Sequence, residues 1–298
     1  MIKRRIFRSA DGVAIPTDTS PPWPVFWLLQ PCLLFFVYFA AVGSLPFFNA
    51  YGALAVGFAL LTLAERAWPA RREWTQSMTE WFQVLAMFAI SAVGLIVVEL
   101  MTGLASAHAF DGLHRVIEQM WPTTWPLIAD VLIAFVLMQF VAYWSHRLQH
   151  EVGFLWRLFG HGTHHTYEKL SAINWNTTHP FEAALLAVPA SVLALAFNQG
   201  EAAFVASALI MMQTAIAHTN LRLNERVVGL ILTTNSQHMQ HHSSEFAESQ
   251  TNYGCAMTLW DRVFGTFSAN PTTALGDPMD GERTIWKRLT LPMRGGPQ

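Results

Sequence analysis

Charge is what this chain of 298 residues has least of. Asp, Glu, Lys and Arg make up 13% of it, against roughly 25% in an ordinary soluble domain. With 52% hydrophobic residues, that shortage excludes a disordered chain, and a net charge of −2 excludes a generally basic nucleic-acid binder. Cysteine is nearly absent. Cys32 and Cys255 stand far apart, so they form neither a disulfide framework nor a CxxC metal site. GxGxxG and CxxCH motifs are missing as well. The only His-Glu pair, His150-Glu151, runs into Val-Gly-Phe, which excludes the HExxH of zinc proteases.

The charges that exist leave long gaps. No charged residue lies between Asp18 and Glu65. A bilayer-crossing helix needs about 20 apolar residues, so the gap holds two spans, expected at 25–47 and 51–66 with a turn at Pro46–Gly52. A third is expected at 81–105, interrupted only by Glu99, and a fourth at 126–145 with Asp130 near one end. Two shorter runs, 183–198 and 202–217, are split by Asn198-Gln199-Gly200-Glu201 and read as a hairpin entering the bilayer partway. The expected fold class is an all-α integral membrane protein with four transmembrane helices, this short hairpin and a helical cap of histidines. Threaded alternately, the spans put every Lys and Arg except Arg115 on one side, which the positive-inside rule makes cytoplasmic. Trp23, Trp27, Trp68, Trp81, Trp121, Trp125 and Trp144 fall at span ends, where aromatic belts form. Residues 9–24 separate the basic cluster Lys3–Arg8 from the first run, so that cluster does not read as a cleavable signal. The whole of 1–298 reads as one membrane domain, with 1–125 an N-terminal transmembrane region and 268–298 a cytoplasmic tail. Ala-rich spans favour a bacterial inner membrane over the endoplasmic reticulum.

Ten of the 12 histidines fall between 146 and 242. They form an HxxxH pair (His146, His150), an HxxHH triplet (His161, His164, His165) and a second triplet (His238, His241, His242), with His179 and His218 standing singly between. Residues three or four apart share a helix face, so each group presents its imidazoles side by side. Neutral imidazole is the commonest metal ligand and suits iron, zinc, copper or nickel. Eight to ten imidazoles exceed one coordination sphere, whereas two metals with four or five each would use the set. Haem would place paired histidines in mid-span, but these lie at span ends. His108 and His114, in the opposite loop, read as ordinary surface residues.

The order HxxxH, HxxHH, a lone His before Asn and a final HxxHH resembles the fatty acid hydroxylase/sterol desaturase superfamily of membrane di-iron enzymes. Tyr143-Trp144-Ser145-His146-Arg147, Trp156, His179-Pro180 with Glu182, His218-Thr219-Asn220, Asn252-Tyr253-Gly254 and Trp260-Asp261-Arg262 through Phe267 carry the resemblance, which covers about 133–267. It is similar in particular to the alkylglycerol monooxygenase and bacterial sterol-desaturase-like branches. The chain departs from many relatives at Thr234-Asn235-Ser236-Gln237, where they carry a Pro-Arg or similar pair. The resemblance implies two iron ions that activate O2 against a C–H bond of a lipid: a sterol, fatty acyl or ether lipid, hydroxylated or desaturated. It implies His146, His150, His161, His164, His165, His218, His238, His241 and His242 as ligands, with His179 as a further candidate. Glu182, Asn220 and Asp261 are candidates for orienting the imidazoles. Arg147 and Arg222 are expected to meet lipid phosphate or a carboxylate, and Tyr253, Trp260 and Phe264 to serve packing. Electrons would come from a separate donor: a cytochrome b5-like protein, a ferredoxin or a pterin. The competing reading is a histidine-rich metal-binding or metal-transport membrane protein. That reading asks for ionisable groups along the spans, and only Glu99 and Asp130 qualify.

Overall fold

The computed structural model describes residues 21–104, 115–116, 125–196, 199–270, 272, 274–276 and 284–294. His108, His114, Trp121 and the expected outer loop lie outside these residues. Among them the chain is helical, with isolated β-bridges and no longer strand. Four helices follow the charge-free gaps: α1 (Trp23–Ala41), α2 (Ala50–Ala67), α3 (Met78–Leu104) and α4 (Leu127–Glu151). α1 stops short of the expected residue 47. Gly43 takes a left-handed backbone (φ 71°) and Ser44 N–H bonds back to Phe39 C=O, which ends the helix before Pro46. Asn49 then caps α2, its side chain accepting from Gly52 N–H at 2.9 Å.

The expected shallow hairpin becomes two unequal helices, α7 (Pro180–Ala196) and α8 (Gly200–His218). α8 has the length and hydropathy of a fifth candidate span, whereas α7 is shorter. Nineteen residues give about 28 Å, close to the roughly 30 Å of hydrocarbon thickness. Gln213 and Thr214 interrupt the apolar pattern of α8, and both are buried in the centre of the bundle. Gln213 accepts from Gln30 of α1 at 2.8 Å and donates to Thr233 C=O at 2.8 Å. Small residues (Ala202, Ala203, Ala206, Ala208, Ala215, Ala217) let α1, α2, α4 and α7 close around α8. Large apolar side chains such as Phe35, Leu63, Ile96 and Leu132 point outward, more than half exposed, as a lipid-facing surface requires.

One end of the bundle gathers the chemistry. Asn224 N–H bonds Phe26 C=O at the start of α1, Ala70 N–H bonds Asn220 C=O just past α2, and Lys169 pairs with Glu80 at the start of α3 at 2.7 Å. At that same end lie the last turns of α4 and α8 and three short helices: α5 (Gly153–Phe159), α6 (Gly162–His165) and α9 (Asn235–His241). Beyond a single turn at Phe246–Ser249 follow α10 (Leu259–Phe264) and α11 (Ile285–Arg294). The expected tail is thus partly ordered, since α11 packs on α5 and α6.

Candidate metal centre

The last turns of α4 carry His146 and His150, four residues apart and both buried. α5 ends at Gly160 in the left-handed conformation (φ 66°), where an added Cβ would run into the ring of His179. That turn delivers His161 and the single-turn α6 with His164 and His165. His218 is the last residue of α8. Thr234 and Gln237 close a capping box on α9, which brings in His238 and His241, and His242 follows as its C-cap.

These nine imidazoles sort into two groups. His146, His150, His161, His165 and His241 form one, and His164, His218, His238 and His242 form the other, with nitrogens lying within 4.8 Å of one another in each. Each triplet is divided. The i,i+4 pair of the first (His161, His165) enters the five-membered group and the middle residue His164 enters the four-membered one; the second triplet does the reverse, sending His241 across. Sequence spacing suggests three imidazoles on one face, whereas on short helices packed between two sites the middle one turns to the neighbouring site. The groups touch, with the His165 and His242 rings stacked 4.5 Å apart.

The Nε2 atoms point inward. His146–His161 stand 3.0 Å apart, His161–His150 2.9 Å, His150–His165 3.2 Å and His165–His161 3.1 Å. In the second group His218–His164 stand 3.2 Å apart, His218–His238 2.9 Å and His238–His242 3.1 Å. Outward, Nδ1 meets oxygen: Tyr253 C=O at 2.6 Å from His146, Glu182 at 2.5 Å from His161, Thr251 C=O at 2.9 Å from His241 and Thr214 C=O at 2.7 Å from His218. A ring nitrogen facing an oxygen acceptor must donate, so Nδ1 carries the proton in these four and the Nε2 lone pair faces the interior. Burial, then neighbouring imidazoles, push His164, His165, His238, His241 and His242 well below their ordinary value, leaving them neutral near pH 7. Burial alone would raise the Glu182 carboxyl, but His161 and a hydrogen bond from Thr178 hold it down to about 2.

Converging lone pairs beside a buried carboxylate call for a cation. Two nitrogens each about 2.0–2.1 Å from one ion and at right angles would stand roughly 2.9 Å apart, close to the observed spacing. His241 Nε2 is buried, aimed into the five-membered group and without a hydrogen-bond partner. The residues therefore fit a metal in each group, and an all-imidazole donor set suits iron, zinc, copper or nickel.

His179 joins neither group; its Nδ1 accepts from Phe181 N–H at 3.2 Å and its ring lies against Gly160. Asn220 exchanges hydrogen bonds with the Arg71 backbone, at 2.9 and 2.8 Å, rather than orienting an imidazole. Asp261 works at one remove. It accepts from Tyr253 N–H and Gly254 N–H, both at 2.8 Å, and so fixes the carbonyl that holds His146. Arg147 pairs with Glu151 at 2.7 Å. Trp260 and Phe264 pack on Phe140, Tyr143 and Trp144, but Tyr253, expected only to pack, also supplies that carbonyl and lays its ring against His146, His150 and His241. Thr214, Thr251 and Tyr253 act through the backbone, which leaves no side-chain signature. Only Thr214, four residues before His218, was within reach of helical spacing. Gln250, whose amide meets His150 Nδ1 at 3.1 Å, stands in no histidine spacing and carries no such signal either.

The sequence model of the fatty acid hydroxylase family matches residues 131–266, which contain all nine imidazoles. The chain is 30% identical over 226 residues to the ornithine lipid hydroxylase OlsE of Rhizobium tropici, an alignment covering 74% of this chain and 67% of that protein. The chain belongs to the fatty acid hydroxylase family. It is also 32% identical over 167 residues to human alkylglycerol monooxygenase and 30% identical over 175 residues to the zebrafish (Danio rerio) protein. Those alignments cover 52% and 55% of this chain but only 34% and 35% of the relatives. No solved structure matches. Family and relatives together make this chain a membrane-embedded oxidoreductase of the lipid hydroxylase and monooxygenase class.

Proposed function

We propose that the two histidine groups hold one iron ion each and that the chain hydroxylates a C–H bond in the hydrocarbon part of a membrane lipid, whether acyl, sterol or ether lipid. The observation that carries this reading is the pair of adjacent, inward-facing imidazole sets of five and four. Iron would supply O2 activation, a redox task closed to zinc. The balance is C–H plus O2, two electrons and two protons giving C–OH and water. The nine imidazoles hold the metals, and Tyr253, Thr251, Thr214 and Glu182 keep the ligand rings in one tautomer. Glu182 also offsets positive charge, while Asp261 acts through the 253–254 backbone. His179 and Asn220 serve as structural neighbours, at Gly160 and Arg71.

The names of the relatives favour hydroxylation over desaturation. Electrons enter from a separate donor, a cytochrome b5-like protein, a ferredoxin or a pterin, because the sequence carries no nucleotide or cysteine-cluster motif of its own. The histidine end of the bundle shares its side with Arg66, Arg71 and Arg72, so the active site faces the cytoplasm, and a bacterial inner membrane is the setting. The test is metal analysis of the detergent-purified chain after anaerobic iron loading, followed by lipid mass spectrometry under isotopically labelled O2. One iron per histidine group and one labelled oxygen in a lipid chain are expected. A chain that takes up no metal overturns the reading.

A further inference from the structure

α11 lies beyond the residues that the family model matches, yet it closes over the first triplet. Arg288 is buried, while Trp286 on the same helix is 71% exposed. Arg288 Nη1 donates to Thr166 C=O at 3.0 Å and to Thr166 Oγ1 at 2.7 Å. Thr166 Oγ1 in turn donates to Thr163 C=O at 2.8 Å, and Thr163 Oγ1 donates to Arg288 C=O at 2.8 Å. The guanidinium also lies 4.3 Å over the ring of Tyr167. The result is a closed circuit of hydrogen bonds around the two threonines that flank His164 and His165.

A four-residue helix does not maintain itself, because forming the first turn costs more than its single hydrogen bond returns. α6 nonetheless carries ligands for both groups. We propose that Arg288 is a positioning residue: by clamping Thr163 and Thr166 it fixes the angle at which the first triplet serves two metals. Lysine would replace it only in part, since an ammonium can donate to Thr166 but stacks less well on Tyr167 than the flat guanidinium does. The proposal rests on the di-iron reading above.

The test uses the full chain, loaded anaerobically with Fe(II), and follows iron release to a chromophoric chelator. Variants are Arg288→Ala, Arg288→Lys and Thr166→Val, with Trp286→Ala as the control on the same helix. Changing groups that orient ligands costs 10–100-fold in metal affinity, and a clamp one step further out should sit near the lower figure, about tenfold faster release in Arg288→Ala. Arg288→Lys should be intermediate and Trp286→Ala unchanged. Millimolar guanidinium should slow release from Arg288→Ala and leave Thr166→Val fast, a rescue that a general loss of packing would not show. Release from Arg288→Ala within about twofold of the wild type overturns the proposal. So does a failure of guanidinium to rescue. If Arg288→Ala does not fold, Thr166→Val decides, and wild-type release from it is equally fatal. A wild-type chain that takes up no iron overturns the di-iron reading itself, an outcome distinct from normal loading with an indifferent Arg288.

Discussion

Replacing Glu182 with glutamine isolates one electrostatic element of the site. The carboxylate is buried and touches two partners, accepting from His161 Nδ1 at 2.5 Å and from the Thr178 hydroxyl. Glutamine has nearly the same shape. Its carbonyl can still accept from His161, and rotation of the Thr178 hydroxyl lets it accept from the new amide, so the geometry survives and only the negative charge is lost. Alanine removes both the charge and the contact. Partners that orient ligand histidines are worth 10–100-fold in metal affinity, or about 1.4–2.7 kcal/mol. Glu182→Gln should fall near the lower end and Glu182→Ala near the upper. Competition between the protein and a calibrated Fe(II) chelator measures this directly, and circular dichroism verifies that each variant is folded. Equal affinity for wild type, Gln and Ala would refute the argument that this carboxylate sets the tautomer and charge of the site. Equal, large losses for Gln and Ala would place the whole effect in the charge and refute the part assigned to orientation.

Other predictions are briefer. His164→Ala removes a ligand of the four-membered group, so hydroxylation should be abolished while the chain remains folded, measured by product formation and thermal melting side by side. His179→Ala should keep the wild-type metal content, because that ring packs on Gly160 instead of entering a group; loss of a metal ion on elemental analysis would reverse this assignment. Gly160→Ala forces a side chain into a left-handed backbone facing the His179 ring, a cost of at least about 1–2 kcal/mol that should appear as a lower melting temperature.

How much of this was legible in the sequence depends on what kind of signal each feature leaves. The spans were readable because a bilayer penalises charge, and the gap from Asp18 to Glu65 records that penalty. α8 reads as part of a shallow hairpin because Asn198-Gln199-Gly200-Glu201 cuts the apolar run to 202–217, yet the helix begins at Gly200 and runs to His218, long enough for a span. The histidine spacing brought nine imidazoles into view. It does not reveal that each triplet straddles two sites, since that depends on two short helices, α6 and α9, packing between them. The acceptors behind those rings are mostly main-chain carbonyls, which every residue possesses and no residue advertises. Asn220 and His179 belong to motifs that carry the family resemblance, which does not say what each residue touches; their contacts are with Arg71 and Gly160.

The contact between α11 and α6 also sets an order of events during synthesis. The turn holding His164 and His165 leaves the ribosome first, and Arg288 follows roughly 120 residues later, on the order of ten seconds at about 5–20 residues per second. Throughout that interval the first triplet has been made and the side chain proposed to brace it has not. On the proposed role of Arg288, the nascent chain would carry the first triplet before it could hold it in place, and completion of the centre would wait until α11 has been translated.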